Sequence, residues 1–244
     1  MKKTLTILSV VLVTLISFNA KAQDDKPQIK SYISLLGGMS YPGGDYVKAD
    51  YNNNKAGYAK NGATFALDGA YYFFKNLGIG ATVSFQDQGE LTSADAQNLS
   101  NGYSTSFEKD ITNVTATGRY HSGFAMAGPQ YSFIFNKFIV DLRASAGIVK
   151  SFSTPIISVI FDNSSTTSLQ PTQLSSTARA FAYGGSAGLR FNFADAWDVG
   201  VKFNYVNSDG VAINNIGDPG TTGRYVTKEP ISVIQATIGI TVHL

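Results

Sequence analysis

The sequence predicts an all-β protein: an eight-stranded antiparallel transmembrane β-barrel, an up-and-down meander behind an N-terminal signal peptide. Three observations predict it. Apolar and polar residues alternate with period two in segments of about ten residues, as a strand with one apolar and one polar face requires. The connections between these segments alternate between very short and long. Beyond the first 20 or so residues, no run approaches the roughly 20 unbroken apolar residues of a spanning helix, so any crossing of a membrane is made by strands.

The chain starts Met1-Lys2-Lys3, continues with the mostly apolar run Leu5 to Phe18, and reaches Ala20-Lys21-Ala22, the small-x-small pattern of signal-peptidase substrates. Residues 1–22 therefore read as a signal peptide cleaved after Ala22, residues 23–28 as a short polar leader, and residues 29–244 as the barrel. Removing Lys2, Lys3 and Lys21 leaves 16 basic against 17 acidic side chains, a balance that points away from a nucleic-acid partner. There is no cysteine, which excludes disulfides, thiolate metal sites and thiol nucleophiles.

The first strand is read around Ile33 to Met39 and the second over Phe65 to Phe73. The third is sharper: Leu77, Ile79, Ala81, Val83 and Phe85 oppose Gly78, Gly80, Thr82, Ser84 and Gln86. The fourth lies within Ala125 to Phe135. The fifth sets Phe138, Val140, Leu142, Ala144, Ala146 and Ile148 against Asp141, Arg143, Ser145 and Gly147. The sixth falls within Phe181 to Phe193, the seventh alternates from Trp197 to Tyr205, and the last from Ile234 to Leu244.

Tight turns are expected at Lys75-Asn76, Asn136-Lys137 and Ala194-Asp195-Ala196, and long loops at Tyr41 to Gly62, Asp87 to about Asp110, Ser153 to Thr177 and Asn207 to Glu229. Short turns belong to the periplasmic side of such barrels, so the four long loops face outward. Ile111 to Tyr120 and Pro155 to Phe161 carry strand-forming residues beyond the apolar band.

Aromatics decide which face meets lipid. Tyr71, Phe73, Phe133, Phe135, Phe138, Phe191, Phe193 and Trp197 crowd the ends beside the tight turns, as in an interfacial girdle. A second group, Phe65, Phe85, Phe181, Tyr183, Phe203 and Tyr205, falls about eight residues away, roughly 20 to 25 Å along tilted strands. A soluble lipocalin-type barrel would lack this pair of belts. Strand-centre charges lie only on the polar phase: Asp68, Asp141 and Asp198 with Arg143, Arg190 and Lys202. In a closed interior these six must pair, since an unpaired buried ion costs several kcal/mol.

The signal peptide, the eight alternating segments, the aromatic-turn-aromatic units and the final Ile238-Gly239-Ile240-Thr241-Val242-His243-Leu244 resemble the outer-membrane β-barrel family, in particular its small eight-stranded OmpA/OmpW/OmpX-like members. Ala127 to Phe133 and Asp141 to Gly147 look similar to Bacteroidota barrels. The resemblance implies residence in the cell outer membrane, contact with its lipid and lipopolysaccharide, insertion by the barrel-assembly machinery, and a monomer. Members commonly end in an aromatic residue, where this chain has Leu244.

No catalytic, cofactor or metal residues are assigned. Related barrels include lipid A-modifying enzymes that bring a histidine and a serine together, but His121 adjoins Ser122, and neighbours on a strand point to opposite faces. His243 lies at the periplasmic end, and Asp209 and Asp218 lack a calcium-loop spacing. Gly78-Ile79-Gly80 has no phosphate-loop context, and the sequons at Asn98 and Asn113 are accidental in a bacterial chain.

The expected function is non-enzymatic: a barrel with a side-chain-filled lumen carrying four long loops for envelope structure or surface interaction. Tyr41, Tyr46, Tyr51, Tyr58 and Tyr103 among Gly and Asn suit adaptable contacts. The alternative is passive passage of small or apolar solutes, aided by a wall gap at the lipid-phase glycines Gly69 and Gly185.

Overall fold

The computed structural model describes residues 30–107, 111–161, 172–216 and 223–244. The signal peptide, the polar leader and Asp218 lie outside the described residues.

Eight strands close a barrel: β1 (Ser31–Pro42), β2 (Gly62–Tyr72), β3 (Leu77–Glu90), β5 (Arg119–Phe135), β6 (Phe138–Ser153), β9 (Arg179–Ala194), β10 (Trp197–Ser208) and β14 (Ser232–His243). Each pairs antiparallel with its neighbours, and β1 pairs β14 from Tyr32↔His243 to Pro42↔Val233 to shut the wall. Closure removes the sheet edges, so every strand in the wall has partners on both sides.

The alternation is inside out relative to a soluble barrel. Along β3, Leu77, Ile79, Val83 and Phe85 are exposed, while Thr82, Ser84 and Gln86 between them are buried. Leu35, Phe65 and Ile238, each over 60% exposed, stand on the outer wall. An apolar outer face with a polar interior is the arrangement that lipid selects.

The short connections at the lower end bend tightly; Asn136 takes φ +54°, a left-handed conformation that asparagine tolerates. At the other end the described residues of the long connections are folded. Helix α1 (Ser93–Phe107) rises between β3 and β4 (Ile111–Thr117). Its start is capped reciprocally: Thr92 Oγ1 accepts from Asp95 N (3.3 Å), and the Asp95 carboxylate accepts from Thr92 N (2.7 Å). Strand β4 pairs β7 (Ile156–Phe161), which continues through β8 (Thr172–Gln173) to β12 (Asn215–Ile216) as a four-stranded sheet, and β11 (Val211–Ala212) pairs β13 (Lys228–Glu229).

These pieces form a cap with its own apolar core. Leu99 and Tyr103 of α1, Val114 of β4, Ile157 and Val159 of β7, and Tyr46, Tyr51 and Tyr58 of the first loop are buried together, continuous with Phe124, Val149, Ala182, Val206 and Val233 in the upper lumen. The expectation that the loop tyrosines serve adaptable contacts is therefore corrected. Tyr46, Tyr51, Tyr58 and Tyr103 are core residues, and of the five only Tyr41 is exposed. Apolar ring area, once it has a neighbouring ring to cover it, is better buried than presented: Tyr51 meets Tyr103 edge to face at 4.9 Å, and Tyr46 meets Tyr120 at 5.5 Å.

Candidate functional site

The lumen is where the strands bring most of the singled-out residues together. The inward phase of β2, β6, β9 and β10 points all six charged side chains into the lower half of the barrel, where each is buried. They fall into two knots. In the first, Asp68 receives Arg143 Nη1 at 2.8 Å and Lys202 Nζ at 2.6 Å, with the Thr82 hydroxyl donating at 2.5 Å. In the second, Arg190 holds Asp141 through Nε at 2.6 Å and Asp198 through Nη1 at 2.7 Å, while His243 Nε2 lies 2.6 Å from Asp198.

Gln130 joins them. Its side-chain oxygen accepts from Arg143 Nε and Nη2, and its amide donates to the Tyr72 hydroxyl at 2.6 Å; that hydroxyl lies 2.6 Å from Ser132, which donates to Asp141 at 2.5 Å. Tyr32 completes the frame, its hydroxyl donating to Asp68 at 3.1 Å and its ring lying 4.1 Å under the Arg190 guanidinium. A Cβ on Gly80 would collide with the Arg143 guanidinium, so glycine there makes room for the arginine.

The space left among these groups is one cavity of about 20 Å³ lined by Tyr32, Ser34, Asp68, Asp141, Arg190, Lys202 and Thr241, enough for a single water. Above the charges lies a neutral layer in which Gln235 donates to Gln86, and Gln86 donates to Gln88 and Ser122. Above that, the apolar core of the upper lumen runs into the cap.

Of the girdle residues, Tyr71, Phe73, Phe135, Phe138, Phe193 and Trp197 stand outward and about half exposed at the lower rim. Phe133 and Phe191 are partly covered by neighbours: Phe133 packs on Tyr131 at 4.8 Å, and Phe191 on Phe138 at 5.1 Å. The glycines assigned to a wall gap sit in unbroken ladders, Gly69 between Ile33 and Ala81 and Gly185 between Ala144 and Tyr205. The wall is interrupted elsewhere: the β5–β6 ladder passes from Ala127↔Ala146 to Gln130↔Arg143, skipping Gly128 and Pro129, the latter with no N–H to give.

His121 and Ser122 diverge, Ser122 inward beneath Gln86 and His121 outward at the upper rim. His121 has a different serine, Ser153 across the β5–β6 ladder, with its Nδ1 3.0 Å from the hydroxyl. No spacing in the sequence signals that pair, because 32 residues and a strand irregularity separate its members. Tyr32, Tyr72, Thr82, Gln130 and Ser132 are network members that sequence reasoning missed; Thr82, Gln130 and Ser132 stand on the inward phase beside Asp68, Arg143 and Asp141 in register, whereas Tyr32 meets Arg190, and Tyr72 meets Asp141, only across the lumen. Among the described residues no cluster of His, Asp and Glu is arranged to hold a metal ion.

A family model described as outer membrane protein beta-barrel domain matches residues 8–223. No curated protein matches the sequence. Among solved structures, the chain is similar to Neisserial surface protein A (11% identity, 88% of this chain and 97% of that one, TM-score 0.46). It is similar also to Ail, the attachment invasion locus protein of Yersinia pestis (14%, 88% and 97%, TM-score 0.41), and to a major outer membrane protein from Thermus thermophilus (9%, 88% and 99%, TM-score 0.46). The closed eight-stranded wall, its apolar outer face and the family match over most of its length together make this chain a member of the outer membrane protein β-barrel domain family, resident in the outer membrane.

Proposed function

We propose that the barrel is a closed, non-conducting anchor and that its folded cap is the working surface, serving envelope structure or contact with other molecules. The observation that carries this reading is the filling of the lumen. Three carboxylates and three cations are cross-linked in the lower half, and apolar side chains continue from the upper half into the cap. Eight strands leave an interior just wide enough for such side chains. In this reading neither lumen nor cap interior is catalytic. The protein works as a monomer inserted by the barrel-assembly machinery, with outer-membrane lipid and lipopolysaccharide against its apolar wall.

Single-channel recording of the refolded protein in a planar bilayer tests it, beside a variant with Arg143 and Arg190 changed to alanine. The unaltered protein is expected to be silent. Discrete openings in it would overturn the anchor reading in favour of passive passage of small solutes.

A further inference from the structure

We propose that Ser153, His121 and Asp87 form a hydrolytic triad on the outer face of the barrel, directed at acyl esters of phosphorylated amphiphiles in the outer leaflet. This goes beyond the anchor reading and revises, at one place on the rim, the expectation of no enzymatic role.

The three residues come from adjacent strands and meet through the wall's register. Asp87 of β3 pairs His121 of β5, and His121 pairs Ser153 of β6. Two bulges flank them. On β6 the ladder passes from Ser153 to Ser151, leaving Phe152 as an extra residue; on β3 the register breaks between Asp87 and Glu90, with Gly89 at φ +75°. A bulge re-aims side chains. Here Phe152 and Ser153 both end on the outer side, whereas Ser151 is buried and donates to Ser176 O at 3.2 Å.

Ser153 Oγ lies 3.0 Å from His121 Nδ1, within reach for direct proton transfer. Asp87 Oδ2 lies 3.6 Å from His121 Nε2. An anion on that side favours the tautomer with the proton on Nε2, which leaves Nδ1 free to accept from the serine. At 3.6 Å the Asp87 contact is electrostatic rather than a hydrogen bond, and it sets nucleophile, base and orienting group in the order that activates a hydroxyl. Asp87 acts through the histidine and is a positioning residue. It is itself held by Arg119 Nε at 3.0 Å and by the Gly89 N–H at 2.8 Å. The Ser153 hydroxyl has a second acceptor, the Arg119 carbonyl at 2.7 Å, so its proton is shared between two directions at rest.

The surroundings select the substrate class. His121 is about half exposed, open to the outside rather than to the lumen. Directly below the triad, Phe85 and Phe152 stack on the lipid-facing wall with ring centroids 6.1 Å apart, both substantially exposed. Lys150 Nζ sits 4.9 Å over the Phe152 ring, while Arg119 is engaged by Asp87 and Glu90. Apolar rings below, a nucleophile at the boundary and the Lys150 ammonium over the Phe152 ring fit a molecule with acyl chains in the membrane, an ester at the interface and a phosphate at the surface. A glycerophospholipid and the acylated phosphoglycan of lipopolysaccharide share this chemistry.

In the first step Ser153 Oγ attacks the ester carbonyl carbon while its proton passes to His121 Nδ1. The carbon–alkoxy bond then breaks, and the leaving alcohol takes that proton. Water next attacks the acyl-serine, giving a proton to His121; the acyl–Oγ bond breaks, the fatty acid leaves, and the proton returns to Oγ. Water is the only co-reactant.

The refolded full chain is treated with a serine-reactive fluorophosphonate, and the labelled residue is mapped by mass spectrometry. In parallel, free fatty acid is measured from phosphatidylethanolamine/phosphatidylglycerol vesicles and from vesicles containing lipopolysaccharide. The expected result is label on Ser153 and fatty acid from one of the two vesicle types, which identifies the source. Both signals should fall by at least about 100-fold in His121→Gln and fall partly in Asp87→Asn, with heat-dependent electrophoretic mobility showing that each variant is folded. Absence of label and of fatty acid in the unaltered protein overturns the proposal, and so do signals that survive in folded His121→Gln.

Discussion

The side-chain oxygen of Gln130 accepts two hydrogen bonds from Arg143, from Nε at 2.9 Å and from Nη2 at 2.6 Å. An uncharged amide thereby takes up the Nε that Asp68 does not reach, shares Nη2 with Asp68 and the Gly69 carbonyl, and passes the network on to Tyr72 and Asp141. Gln130→Leu removes that acceptor, leaving the Nε of a buried cation without a partner and offering no water in its place. A loss of about 2 to 4 kcal/mol is expected, read as an earlier urea midpoint for unfolding from lipid vesicles.

Glu229 gives the cap a dependence on pH. Its carboxyl is buried in the cap, with one oxygen lacking a hydrogen-bond partner, and that burial raises it to about 8 against an ordinary 4.5, with Tyr120 and Arg224 offsetting only part. The folded cap keeps a proton that the unfolded loop loses near 4.5. Cap stability therefore declines as pH rises from about 4.5 to about 8 and levels off above, by an amount on the order of a few kcal/mol. Protection factors for hydrogen exchange at the β11–β13 amides, corrected for the intrinsic rise of exchange with pH, should fall over that range in the natural protein and stay flat in Glu229→Gln.

Leu99 is fully buried where α1 meets the sheet of the cap. Leu99→Ala leaves a hole among rings that cannot collapse into it, at an expected cost of about 2 to 5 kcal/mol confined to the cap. Limited proteolysis should cut the loops of this variant at protease levels that leave the natural cap intact. The strands of the wall should keep their protection.

The interruption at Pro129 is repairable. Pro129→Ala restores an N–H toward β6 within a wall where the other side of β5 is already paired, Ile79 to Pro129. A gain of about 1 kcal/mol is expected, seen as a later unfolding midpoint and slower exchange at Ala144 and its neighbours.

The wall was readable because lipid imposes a period of two on every strand and leaves no alternative face for Leu77, Val201 or Ile238. The strand signal in Ile111 to Tyr120 and Pro155 to Phe161 was also readable, and the two segments supply β4 and β7. The cap was not readable as a folded unit. Its apolar residues are sparse and come from four loops, so that Leu99 and Tyr103 gain meaning only beside Tyr51, Val114 and Val159. Tyrosines amid glycine and asparagine look the same whether they face a partner or each other. The six lumen charges were legible singly, from phase, while their partners depended on which strands face across the barrel. The juxtaposition of His121 and Ser153 depended on an extra residue in β6 that alternation alone does not reveal.

The partners of Asp68 lie across the lumen: the carboxylate is on β2, Arg143 on β6 and Lys202 on β10, and neither β6 nor β10 adjoins β2 in the wall. No single hairpin of this chain can neutralise that carboxylate with its own neighbours. A partial sheet, offered to the membrane before the rest, exposes ions with nothing opposite them. For Asp68 compensation arrives only when β6 and β10 have curved round to meet β2, which ties its neutralisation to the final join of β1 to β14, whereas Arg190 meets Asp141 and Asp198 on the strands beside its own. A partly built sheet is accordingly penalised by the unmatched charge of Asp68 until the wall curves shut.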